Sequence, residues 1–219
     1  MAGGVGDVNY SAWLDQNGAT GNTEWERTLS VLTNKDAPAV NANDITVFAS
    51  RLDVSSKQLQ AVATVESAGG GYTKTGLPKQ LFERHWFHRL TNGEWSPSIY
   101  SQSKRGGYSG SDTWERFRLA LAKDPWAAFQ SASWGKFQVM GFNWNDLGYP
   151  SPYAMVWTLA QSEADHYEML ARYIEFKKMR GAMQALSTNP ETCREFARKY
   201  NGSAYAENDY HKKLAEAMR

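Results

Sequence analysis

Cysteine is almost missing from this chain: Cys193 stands alone among 219 residues. That excludes an intrachain disulfide framework and fits synthesis in a reducing compartment. An excess of one charge sign is missing as well. Lys+Arg 24 against Asp+Glu 23 leaves a net charge of +1, which gives no electrostatic footprint for a nucleic-acid partner. No apolar run approaches the roughly 20 residues that cross a bilayer, so membrane insertion is not expected. Residues 1–10 hold neither a basic n-region nor an apolar h-region, so no secretory signal peptide is expected. Histidine is scarce: His85, His88, His166 and His211. There is no H-E-x-x-H, and one cysteine cannot make a cysteine-based zinc site. His85 and His88 remain as a pair of conceivable ligands, but the expectation is no metal and no cofactor. G-x-S-x-G and P-loop patterns are also absent.

What the chain does have is aromatic. Trp 9 within 13% aromatic residues is the unusual number, and a mild hint of carbohydrate binding. Aromatic faces stack on sugar rings, although packing is the ordinary role of any single Trp. The length suits one domain of substantial core, or a domain plus an arm.

Residues 1–42 are rich in Gly, Asn, Thr and Ala, with one apolar patch at Trp25 to Leu32 that reads as a short helix. They read as an arm or linker. The compact part begins near Asn43. Asn43 or Asp44 can cap a helix carrying Ile45, Phe48, Ala49 and Leu52 at i, i+3, i+4 and i+7. Gln80 to Leu90 reads as a short strand leading into a helix. Residues 91–113, rich in Ser and Gly, read as a long loop, either solvated or a flap that uses Lys104, Arg105 and Tyr108 on an anionic glycan. Trp114, Phe117, Arg118 and Leu121 share a helix face. Asp124-Pro125 and Ser151-Pro152 are helix starts. The second predicts one long helix ending at Gly181. Pro190 and Asn208 open two more. The balance is strongly α.

One stretch stands apart. Ser55 or Ser56 can cap a helix whose apolar face holds Leu59, Val62 and Ala63. The next position on that face is Glu66, and Gly69-Gly70-Gly71 then stop the helix. A carboxylate on a core-facing stripe is costly unless paired, hydrated or protonated. Desolvation raises a carboxyl pKa and keeps a glutamic acid able to donate a proton near neutral pH. Glu66 is therefore a candidate general acid. The competing reading is a frayed helix end that reaches water. Cleaving a glycosidic bond usually needs a second carboxylate. Glu83, inside an aromatic run and beside Arg84 and His85, is the candidate. Its competing reading is a structural ion pair with Arg84 or Arg89.

Four segments in order then carry a resemblance. They are Ala63-Thr64-Val65-Glu66-Ser67-Ala68-Gly69-Gly70, Leu81-Phe82-Glu83-Arg84-His85, Ser131 through Asn143, and Tyr200-Asn201-Gly202 with Tyr205 and Tyr210. Over residues 43–219 the chain resembles the N-acetylmuramidase domain of phage endolysins, distantly similar to goose-type lysozymes and lytic transglycosylases. Relatives usually carry S-G-G-x-G-F after the glutamate; here Ser67-Ala68-Gly69-Gly70-Gly71-Tyr72 stands there. The resemblance implies a lysozyme-like helical domain with at most a small β element. It implies that Glu66 protonates the oxygen between N-acetylmuramic acid and N-acetylglucosamine, with Glu83 as base or stabiliser. Carboxyl groups about 6.5–9.5 Å apart would fit an inverting route, and about 5–5.5 Å a retaining one. It implies Ser133, Gly135, Gln138, Tyr200, Asn201, His85 and Tyr72 as substrate contacts. The expected partner is the peptidoglycan glycan strand. A holin-type partner would give a monomeric, cytoplasmic enzyme access to the wall. The alternatives are a lytic transglycosylase, a non-catalytic peptidoglycan-binding module, and a zinc amidase using His85 and His88.

Overall fold

A computed structural model of the chain describes residues 9–66, 70–95, 99–104 and 113–219. In chain order the described elements are α1 (Tyr10–Gln16), α2 (Glu24–Ser30), α3 (Ala42–Leu52), α4 (Ser56–Glu66), β1 (Gln80–Phe82), α5 (Arg84–Leu90), α6 (Thr113–Leu121), α7 (Pro125–Gln130), β2 (Ala132–Trp134), β3 (Val139–Met140), α8 (Pro152–Leu159), α9 (Glu163–Phe176), α10 (Arg180–Gln184), α11 (Pro190–Asn201) and α12 (Tyr210–Ala217). The protein is mainly α with one small sheet, as the sequence implied. The elements divide into two compact units. One comprises residues 38–71 and 162–219; the other comprises the described residues up to 37 and residues 72–161.

The first unit holds α3, α4 and α9 to α12. The cap of α3 lies earlier than expected. Asn41 accepts from the Asn43 and Asp44 amides, and Asp44 returns a bond to the Asn41 amide. Asp44 is thus the third-residue partner of a capping box rather than the cap. Ser55 opens α4 in the same way, exchanging bonds with Gln58. The predicted apolar faces are buried: Ile45, Phe48, Ala49 and Leu52 on α3, Leu59, Val62 and Ala63 on α4. Phe48 stacks on Tyr167 at 6.1 Å between centroids. Cys193 is buried and free.

The single long helix expected after Ser151-Pro152 is two helices. Ser162 accepts from the Asp165 amide and caps α9 afresh. Glu163 lies in the first turn of α9. Its carboxylate accepts from the Val40 amide, and its own amide donates to the Pro38 carbonyl. Gly181 lies inside α10 instead of ending the helix. The 3.6-residue rhythm ran across the break because α8 is buried on every side. A helix without a polar face gives no signal of where its register ends.

The second unit is built on aromatics. β1, β2 and β3 form an antiparallel sheet in that order, with Leu81 opposite Ser133 and Trp134 opposite Val139. Phe82, Phe87, Phe117, Phe129 and Trp134 are fully buried. Phe117 meets Phe129 and Trp134 edge-on, each at 5.2 Å. Trp134 Nε1 donates to the Phe129 carbonyl at 2.9 Å, so its polar edge is satisfied. On α6 the buried cation is Arg116, not Arg118, which is exposed. Residues 10–32 hold two helices where the sequence offered one apolar patch. Tyr10 and Trp13 pack on Trp157 at 5.3 and 5.0 Å, and Ser151 Oγ donates to Glu24.

Candidate active site

Glu66 is the last residue of α4, where the apolar face of the helix delivers its carboxyl into a group of tyrosines. Tyr210, first residue of α12, donates its hydroxyl hydrogen bond to Glu66 Oε1. Tyr200 of α11 lies parallel to Tyr210 at 6.3 Å and stacks on Phe196 at 5.5 Å. Tyr173 of α9 meets Tyr200 edge-on at 5.8 Å. Burial pushes the Glu66 carboxyl up to about 7, and the Tyr210 hydrogen bond opposes that rise. The tyrosines answer in kind. Burial, and then the nearby Glu66 charge, hold Tyr173, Tyr200 and Tyr210 above the ordinary phenol value. A carboxyl so placed is half protonated near neutrality and can give up its proton there.

The second unit holds Glu83, His85, Tyr72, Ser133, Gly135 and Gln138. Glu83 is the N-cap residue of α5, yet its side chain makes no cap bond. It is buried at 7% exposure. Its Oε2 stands 3.2 Å from His85 Nδ1. His85 is thus one partner of Glu83. Ser133, Gly135 and Gln138 sit together on the β2–β3 hairpin. Ser133 Oγ donates to Gln138 Oε1 at 2.9 Å, and Gln138 Nε2 donates to the Gly135 carbonyl at 2.8 Å. Gly135 and Gln138 both have positive φ, 72° and 49°. Glycine suits the first at no steric cost. At the second, the side-chain bonds hold a conformation that glutamine rarely adopts. Trp134, Phe137 and Met140 belong to this hairpin.

Tyr72 donates its hydroxyl to the Leu159 carbonyl at 2.9 Å. Asn201 is exposed at the end of α11, followed by Gly202 at φ 77°. His88 Nδ1 lies 3.3 Å from Ser101 Oγ. Among the described residues no three His, Cys, Asp or Glu side chains come together as a metal cage. Residues 67–69 of the glutamate motif, and Arg105 and Tyr108 of the suggested flap, lie outside the described residues. Tyr173 was not singled out from sequence beyond core packing, and Tyr210 only as part of a motif. The signal available for both was the tyrosine excess on three helices.

A mainly helical chain with a desolvated glutamic acid at a helix end fits the class of lysozyme-like glycoside hydrolases. The N-acetylmuramidase family model matches residues 55–219, and the chain belongs to that family. It is therefore an enzyme that hydrolyses peptidoglycan glycan strands. The crystal structure of Burkholderia AP3 phage endolysin is similar, with TM-score 0.75 and 30% sequence identity over 95% of this chain and 91% of that chain. A search of curated protein sequences gave no match.

Proposed function

We propose that the chain is a phage endolysin that cleaves the β-1,4 bond between N-acetylmuramic acid and N-acetylglucosamine, with Glu66 as general acid. The supporting observation is the Glu66 carboxyl, held near neutrality by burial and oriented by Tyr210. Glu83 is the second carboxylate, base or electrostatic stabiliser, and the His85 contact orients it. Ser133, Gly135, Gln138, Tyr200, Asn201, His85 and Tyr72 contribute to substrate binding. Because Tyr72 and Gln138 are engaged by Leu159 and Gly135, they act by shaping backbone and rings rather than by presenting a free hydroxyl or amide. The muramidase domain is residues 43–219, and residues 1–42 add an N-terminal segment whose helices pack beside α8.

Among the described residues no helix is long and apolar enough to cross a membrane. We place the enzyme in the host cytoplasm, as a monomer, until a holin-type partner opens the membrane. Fragments released from purified peptidoglycan and weighed by mass spectrometry test the reaction. Reducing N-acetylmuramic acid ends, lost in Glu66→Gln, are expected. Anhydro ends would assign a transglycosylase, and cut peptides on intact glycan would overturn the carboxylate mechanism.

A further inference from the structure

The second unit holds a cavity that the reaction above does not use. It measures about 380 Å³ and lies where α1 and α2 meet Pro150 and Ser151, just ahead of α8. Cavities of that size hold small molecules or one stretch of a polymer. Tyr10 and Leu14 supply its apolar lining, and Ser11, Asn22, Glu24 and Arg27 its polar lining. Much of the polar lining is not engaged. Glu24 accepts from Ser151 through Oε1, and Arg27 reaches Asp15 through Nη2 alone. Among the described residues the side chains of Ser11 and Asn22 have no hydrogen-bond partner.

The charges select the occupant. Glu24 and Arg27 are three residues apart on α2, so a carboxylate and a guanidinium share one helix face. An anion is repelled by the first and a cation by the second. An apolar ligand would desolvate both with nothing in return. A neutral ligand rich in hydroxyls and amides satisfies both, since its hydroxyls donate to the carboxylate and its oxygens accept from the guanidinium. That is the chemistry of an N-acetylated sugar.

A ring suited to sugar lies beside the cavity. Tyr153 stands two residues beyond Ser151. Burial first, then the charges of Glu24 and Asp124, hold its hydroxyl above the ordinary phenol value. It therefore lies near both the cavity wall and the start of α7. There it meets the ring of Trp126 edge-on at 5.6 Å, and Trp144 braces Trp126 in the same way at 5.4 Å. Of the nine tryptophans Trp126 is the exposed one, at 43%. A large ring held in water by two neighbours is preorganised to stack on a flat partner.

We propose that this cavity and Trp126 form one binding surface for the N-acetylglucosamine units of a glycan strand, separate from the residues assigned to cleavage. The proposal rests on the reading of the substrate given above. It gives the N-terminal helices a task, which is to hold the polymer while another part of it is cut.

The test pairs retention on chitin beads with turnover of a soluble tetrasaccharide from peptidoglycan. Chitin offers N-acetylglucosamine chains without peptides, and cellulose beads offer a similar chain without acetamido groups. Wild type is expected to bind chitin and to bind cellulose less. Trp126→Ala and Asn22→Ala should each weaken chitin binding about tenfold, as expected for loss of one stacked ring or one hydrogen-bonding amide. Their kcat and KM on the tetrasaccharide should match wild type. Both side chains are exposed, and thermal melting of each variant controls for folding. Unchanged chitin binding in both variants overturns the site, as does a wild type that chitin does not retain or that cellulose holds equally well. A parallel loss of tetrasaccharide turnover would also overturn it, by placing these residues in cleavage itself. Wild type that binds chitin through these residues but releases no reducing ends would support the site and remove the muramidase reading alone.

Discussion

Replacing Glu66 by Gln should make the folded protein more stable at neutral and alkaline pH, while abolishing turnover. The carboxyl moves from an ordinary 4.5 to about 7 on folding, because burial disfavours its charge more than the Tyr210 bond favours it. The folded pKa lies above the unfolded one, so wild type loses stability as pH rises from about 4.5 through about 7 and keeps that penalty above it. At roughly 1.4 kcal/mol per pH unit, the full penalty is at most about 3.5 kcal/mol. Gln is neutral at every pH and can still accept from Tyr210. For a chain of this size the difference corresponds to about 7–14 °C in Tm, at ~2–4 °C per kcal/mol. The assay is thermal melting of both proteins from pH 4 to 9, read as the difference between the two curves. Subtraction cancels every other titrating group. The gap should be near zero at the acid end and grow through neutrality. Parallel curves would refute the desolvation argument and leave Glu66 as a hydrated helix end.

Gly71→Ala should destabilise the first unit. An added Cβ would stand 2.6 Å from the ring of His166, which is fully buried, so overpacking of about 1–3 kcal/mol is expected in chemical denaturation. Arg51→Ala should cost about 1 kcal/mol, because Arg51 bridges Glu168 and Glu175 at 2.6 and 2.8 Å. Burial pushes the Glu168 carboxyl up, but its bonds to Arg51 and Arg172 outweigh that and hold it below the usual range. The loss should therefore be visible at neutral pH and vanish in acid, as melting at pH 7 and pH 3 would show. Glu83→Gln should lower kcat about a hundredfold or more if the carboxylate takes part in proton transfer. A tenfold or smaller loss with unchanged melting would make it a helix-start residue only.

The helical class was legible because periodicity and capping residues agree along most of the chain. The stripes of α3 and α4 and the starts at Asp124, Ser151 and Pro190 all appear in the structure. The break at Ser162 was hidden by the buried α8, whose apolar residues cannot report a phase. The α1–α2 segment was hidden by composition. It is polar and turn-rich, and it is anchored by Tyr10 and Trp13 on Trp157, far away in the sequence. At the candidate site, Glu66 was visible as a carboxylate out of place on an apolar face. Its tyrosine partner was not, since Tyr210 is 144 residues away and no local pattern links them. The engagement of Gln138 was equally invisible, because it depends on a positive φ that nothing in the residue type announces.

The central claim is that Glu66 is the proton donor and Tyr210 tunes it. The most direct measurement is kcat/KM on purified peptidoglycan across pH for wild type and Tyr210→Phe. Activity that needs protonated Glu66 should fall with a limb near pH 7 in wild type, where the carboxyl titrates. Removing the hydroxyl removes the bond that favours the charged form, so the limb should move to higher pH by about one unit. A wild-type limb near the ordinary carboxylate range, or a limb that stays in place when Tyr210 is changed, would contradict the assignment.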